Sequence, residues 1–355
     1  MSNEKSFARI LIRATNWVGD AVMCLPALRA IRETYPKSHI AILARPWVAD
    51  IYHREPVADE ILPLTTGRGA GDWTGKWLAA RQLRLRNFDC AILFQNAFEA
   101  ALLAWMARIP RRIGYDRDGR KWLLTDAIEV PAPGEIPRHE RFYYLELLRR
   151  ARLTGQAISS DEIRLDGAAE ARAAGARKFG AMGFSGRVVG VSPGAAFGTA
   201  KRWIPDRFSS SAVRVARDLG AAVAVFGSAG ERELCESVAG AIRGAEIAAH
   251  NFAGETSLRD FIELAAACDL YLTNDSGAMH ISSALGVPTV AIFGATDHET
   301  TGPTGINARI VREPVDCSPC LLRECPIDHR CMTRVSVDRV VDTSLDLLRA
   351  TPQAR

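Results

Sequence analysis

Short apolar runs alternating with amphipathic helical stretches, in two successive series, restrict this chain to an α/β architecture. Arg9 to Ala14, Ile40 to Ala44, Ile61 to Leu64 and Cys90 to Phe94 read as strands. Each is a near-continuous apolar run, as expected of parallel strands covered on both faces. Ala21 to Tyr35, Trp73 to Leu85 and Phe98 to Arg108 carry helical spacing between them. The second series has strands at Val188 to Ser192, Ala222 to Phe226, Leu270 to Thr273 and Thr289 to Phe293. Its helices are Asp206 to Leu219, Glu231 to Ile242, Leu258 to Cys268 and Met279 to Leu285, and a last helical pattern covers Ser336 to Leu348. The Ala- and Gly-rich stretch from Asp166 to Arg187 has no strand signal and marks the expected junction. Domains over 1–175 and 186–335 follow, with a helical segment over 336–355 that could return to the first domain. A chain of 355 residues suits two such domains. Two such sheets would present their strand C-termini to a shared cleft, where open α/β sheets bind ligands.

Composition removes several classes. The net charge of +4, from 45 basic and 41 acidic residues, is too mild for a nucleic-acid binder. The most apolar stretch, Ala97 to Ala107, carries Glu99 and falls short of the ~20 residues a membrane span needs. Residues Met1 to Arg13 do not read as a secretion signal. Five arginines between Arg108 and Arg120, extended by Lys121, form either a solvated loop or a seat for an anionic substrate or surface.

Three turns carry chemistry. After the first strand, Asn16-Trp17-Val18-Gly19-Asp20 stands where a dinucleotide site needs G-x-G-x-x-G. Only Gly19 is present, which counts against a dehydrogenase or epimerase using a nicotinamide. Asp20 is either a helix cap or a general base. The loop Pro193-Gly194-Ala195-Ala196-Phe197-Gly198-Thr199-Ala200-Lys201-Arg202 combines small residues with two cations, as a phosphate cradle or as an ordinary loop with surface charge. Thr273-Asn274-Asp275-Ser276-Gly277-Ala278-Met279-His280 leaves a strand and opens a helix, whose N-terminus is an anion site. His280 is structural or phosphate-facing.

Taken in order, with Ala253-Gly254-Glu255-Thr256, Gln95-Asn96-x-Phe98 and Ile109-Pro110-x-Arg112-x-Gly114, these turns resemble the bacterial ADP-heptose–lipopolysaccharide heptosyltransferases, closest to the heptosyltransferase II branch. The resemblance implies a GT-B fold, two Rossmann-like domains facing each other across a cleft, with the nucleotide sugar on the second and the acceptor on the first. It implies Asp20 as catalytic base and Lys201 on the ADP phosphates. Gly194, Glu231, Thr256, Asp275, Ser276, Gly277 and His280 complete the donor site, Glu231 as a looser match for a ribose ligand. Asn96, Arg112, Arg117, Arg120 and Lys121 are assigned to a lipid-linked core oligosaccharide. The transfer would invert the anomeric carbon and need no cofactor. The enzyme would work in the cytoplasm on the inner leaflet of the inner membrane, without nucleic acid. Trp73, Trp77, Arg81 and Arg84 would either meet that surface or pack in the domain. A related transferase with another donor or acceptor, or a silent sugar-nucleotide-binding relative, is the alternative.

Eight cysteines divide into four single ones and the cluster Cys317-x2-Cys320-x4-Cys325-x5-Cys331. The cluster admits a structural zinc site, with His329 as a substitute ligand, disulfides or free thiols. In each case it would support the return to the last helix and take no part in transfer.

Overall fold

The computed structural model describes residues 6–67, 71–155 and 162–351. The chain divides into two compact units, Met1–Ser160 and Asp161–Arg355.

The first unit holds six strands: β1 (Arg9–Arg13), β2 (His39–Ala44), β3 (Glu60–Pro63), β4 (Cys90–Leu93), β5 (Arg111–Tyr115) and β6 (Asp126–Ile128). All pair in parallel, in the order β3-β2-β1-β4-β5-β6. The second unit repeats the plan with β7 (Val188–Ser192), β8 (Ala222–Val225), β9 (Ala249–Asn251), β10 (Leu270–Asn274), β11 (Thr289–Phe293) and β12 (Ala308–Arg312). Its order is β12-β11-β10-β7-β8-β9, also parallel throughout. Each is the Rossmann strand order, so each unit has one switch point, between β1 and β4 and between β7 and β10, where ligands bind at the strand C-termini. Central strands are buried on both faces, which explains their unbroken apolar runs.

The structure moves the expected junction. The stretch read as a linker contains a helix, Ala168–Ala181, that packs on the helix Leu258–Ala266 within the second unit. Its small residues are packing residues: a Cβ on Gly175 would lie 1.9 Å from the carbonyl oxygen of Glu263, so only glycine allows the two helices so close. Before it, Ile163 donates its N–H to Thr304 and Leu165 donates to the Ala284 carbonyl, tying this segment to the second unit. The final helix, Val337–Ala350, is a correction of the same kind. Val340, Val341 and Leu347 are buried in the second unit's core beside Trp203 and Phe208, so its apolar face is already used there. No helix of the described residues is long and apolar enough to cross a membrane.

Candidate active site

The turn after β1 is fixed by its neighbours. Buried Arg13 donates to Asn16 Oδ1 at 2.7 Å, the Asn16 N–H donates to Gln95 Oε1 at 3.1 Å, and Trp47 Nε1 donates to the Asn16 carbonyl at 2.9 Å. Burial, with Arg45 nearby, lowers the Arg13 pKa to about 10. This clamp delivers the chain into the helix Val18–Met23, whose cap position is Trp17. Asp20 therefore lies inside the first helical turn, and the capping role considered for it is corrected. It is half-buried at the C-terminal edge of the sheet.

Glu140, which the sequence did not single out, opens the helix Glu140–Arg150 against this turn. Burial and the charge of Asp20 raise its carboxyl above the ordinary range, partly offset by Arg117. The folded state thus holds this proton more tightly than the unfolded chain, and stability falls as pH rises through the interval between the two values. Glu140→Gln is expected to raise the melting temperature at neutral pH, with the gain shrinking to nothing below the unfolded carboxyl value of 4.5. Melting curves across pH test this; a gain that persists in acid would contradict it.

Around β4 and β5 the structure gathers some of the expected acceptor residues and separates others. Asn96 donates to the Tyr143 hydroxyl at 3.0 Å and accepts from Arg120 at 2.9 Å. Arg117, exposed, lies near Tyr143, which raises its pKa. Arg120 is fully buried and donates to the carbonyls of Tyr115 and Gln95 as well. It is therefore corrected from an anion ligand to a support that orients Asn96. Burial lowers its pKa to about 10. Lys121 is exposed and pairs with Asp116 at 3.1 Å. Arg112 belongs elsewhere: it sits near the start of β5, the sheet edge away from Asn96, and donates to the carbonyls of Ile109 and Leu123.

In the second unit the loops after β7 and β10 are joined by Asn274, which donates to the Pro193 carbonyl at 2.8 Å and accepts from the Trp203 N–H at 2.9 Å. This brings Lys201 to Asp275, Nζ to Oδ2 2.6 Å, with the pair nearly buried. Thr296, just after β11, donates to the same carboxylate at 2.5 Å. Lys201 also lies 4.9 Å from the centre of the Phe197 ring. Ser276 caps the helix Gly277–Ala284 by position, its hydroxyl engaged with Thr273 at 3.1 Å, and His280 is buried one turn on. A Cβ on Gly194 would lie 2.1 Å from Glu231 Oε1, so glycine makes room for that carboxylate. The other oxygen of Glu231 accepts from the N–H and hydroxyl of Ser228 in a capping box. Thr256 is half-buried in the turn after β9, where Gly254 donates to the Gly227 carbonyl.

The four cysteines of the loop are free thiols, and burial first, then the nearby Cys317, Cys320 and Cys325, pushes the Cys331 thiol up to about 11. Cys331 is buried in the helix Arg330–Thr333 while Cys317 is exposed, and among the described residues no three His, Cys, Asp or Glu side chains are placed to hold a metal ion. The loop instead braces the donor side. The Ala200 N–H donates to the Arg323 carbonyl at 2.9 Å, His329 Nε2 lies 2.9 Å from the Ala200 carbonyl, and the Arg323 guanidinium stacks on Phe197.

Two Rossmann sheets, one with a carboxylate just beyond a clamped turn at its switch point and the other with a cation and a helix N-terminus at its own, define a nucleotide-sugar glycosyltransferase. Residues 77–330 match glycosyltransferase family 9 (heptosyltransferase), and the chain belongs to that family. Lipopolysaccharide heptosyltransferase 2 of Salmonella typhimurium is 30% identical over 86% of this chain and 88% of its own length. Lipooligosaccharide heptosyltransferase 2 of Haemophilus ducreyi is 29% identical over 96% and 99%. The solved structure of E. coli ADP-heptose LPS heptosyltransferase II superposes with a TM-score of 0.80 at 27% identity, covering 96% of this chain and 98% of that one.

Proposed function

We propose that this enzyme is a heptosyltransferase II, moving L-glycero-D-manno-heptose from ADP-heptose to the inner-core heptose of lipopolysaccharide with inversion. The names of its relatives support the substrates. The observation that carries the chemistry is the placement of Lys201 beside the helix start at Ser276 on one switch point and of Asp20 on the other. Asp20 accepts the proton of the acceptor hydroxyl as that oxygen attacks the anomeric carbon, through an oxocarbenium-like transition state. The bond to the ADP oxygen breaks, and the growing negative charge meets the Lys201 ammonium and the N–H groups at the helix start. Lys201 spends one of its donors on Asp275, which aims the ammonium and leaves two for phosphate oxygens. In this reading the transfer needs no cofactor, and the enzyme works at the cytoplasmic face of the inner membrane. Incubation with ADP-heptose and a heptose-deficient core acceptor is expected to add one heptose by mass spectrometry. An acceptor that gains no mass, while ADP still binds, would point to another sugar in the same family.

A further inference from the structure

The first unit carries a second concave site, at the opposite end of its sheet from Asp20. A pocket of about 590 Å³ lies between the neighbouring helices Trp73–Arg84 and Phe98–Met106, lined by Trp77, Arg84, Trp105, Arg108, Ile109 and Arg112. The second of these helices starts beyond the C-terminal end of β4 and runs back to the start of β5, so its length of roughly 13 Å separates the pocket from the edge that holds Asn96.

Its chemistry is one-sided. Residues 73–88 and 100–115 together carry seven basic side chains and no acidic one. Arg86 is paired with Glu60 and Arg111 with Asp126, but Arg84 and Arg108 are exposed and have no carboxylate partner among the described residues. Arg108 holds a left-handed backbone, φ 56°, directly after the helix, where glycine is the ordinary residue. Beside these charges Trp77 and Trp105 are 53% and 48% exposed, and Trp73 is 58% exposed one turn away. Exposed tryptophans, one of them with the Arg81 guanidinium over its ring, flanking arginines without carboxylate partners suit the boundary between lipid headgroups and acyl chains.

We infer that this pocket seats the phosphate of an anionic phospholipid headgroup, with Trp77 and Trp105 entering the bilayer boundary around it. The inference rests on the membrane-surface part of the function proposed above and gives it a location. Its test is sedimentation of the full chain with vesicles of phosphatidylcholine alone or enriched in phosphatidylglycerol. The enzyme is expected to bind the anionic vesicles, less so as salt rises, and R84E/R108E to bind them roughly ten-fold more weakly or worse. Both arginines are exposed, so the variant should keep the wild-type melting temperature and wild-type transfer to a soluble, deacylated acceptor. Equal binding to neutral vesicles, undiminished binding by the variant, or no vesicle binding at all would each overturn the site. Vesicle binding by an enzyme that transfers no heptose would count against the proposed reaction and leave the lipid site standing.

Discussion

Asp20→Asn is expected to lower turnover by about 10²–10⁴-fold, the usual contribution of a positioned general base, while ADP affinity stays unchanged. The amide keeps the shape of the side chain and removes its ability to accept a full proton. The turn should survive, because Asn16 is held by Arg13, Gln95 and Trp47 independently of Asp20. The residues proposed to hold ADP all belong to the other unit. Steady-state kinetics and calorimetry with ADP check the two halves. Substantial remaining turnover would take the base role away from Asp20.

The second large effect concerns the pair Lys201–Asp275. Lys201→Met strands a carboxylate whose side chain is 4% exposed, leaving it Thr296 as its one side-chain hydrogen-bond donor among the described residues. Breaking one side of such a pair costs about 3–5 kcal/mol. Asp275→Asn should cost less, because an amide can still receive the ammonium. The double variant K201M/D275N should be more stable than the sum of the singles implies, since no charge is left unmatched. ADP affinity should follow a different pattern: both variants lacking Lys201 should bind at least ten-fold more weakly, the double as poorly as the single. Denaturation and calorimetry on the set separate the two roles. Recovery of ADP binding in the double variant would show that Lys201 acts only as a structural partner.

Most of the architecture was readable because the central strands are buried on both faces and therefore unbroken in sequence. Some outer strands were not, β9 at a sheet edge and β5 one strand in from the edge. β9 is Ala-His-Asn and β5 opens with Arg111 and Arg112, so neither presents an apolar run, and both exist because a neighbouring strand offers its hydrogen bonds. The helix Ala168–Ala181 falls in the expected junction because its Ala- and Gly-rich run carries no strand signal and little apolar pattern of its own. Among the site residues, turns following a strand were legible, because the strand fixes where the turn emerges. Arg120 was not: an arginine in a basic run looks like a surface ligand until the carbonyls of Tyr115 and Gln95 are seen closing around it. Glu140, Tyr143 and Thr296 come to the site through tertiary packing alone. Thr296 had the one usable signal, its position just after a buried strand.

The clasp on Ala200 carries a consequence for how this enzyme can diverge. Its N–H and carbonyl are gripped from two points, Arg323 and His329, six residues apart on one loop. Inserting a residue between those points would set them out of step and drag the adjacent Lys201 with them. Selection should therefore conserve the spacing of that stretch more strictly than the identity of Cys325, the one thiol within it.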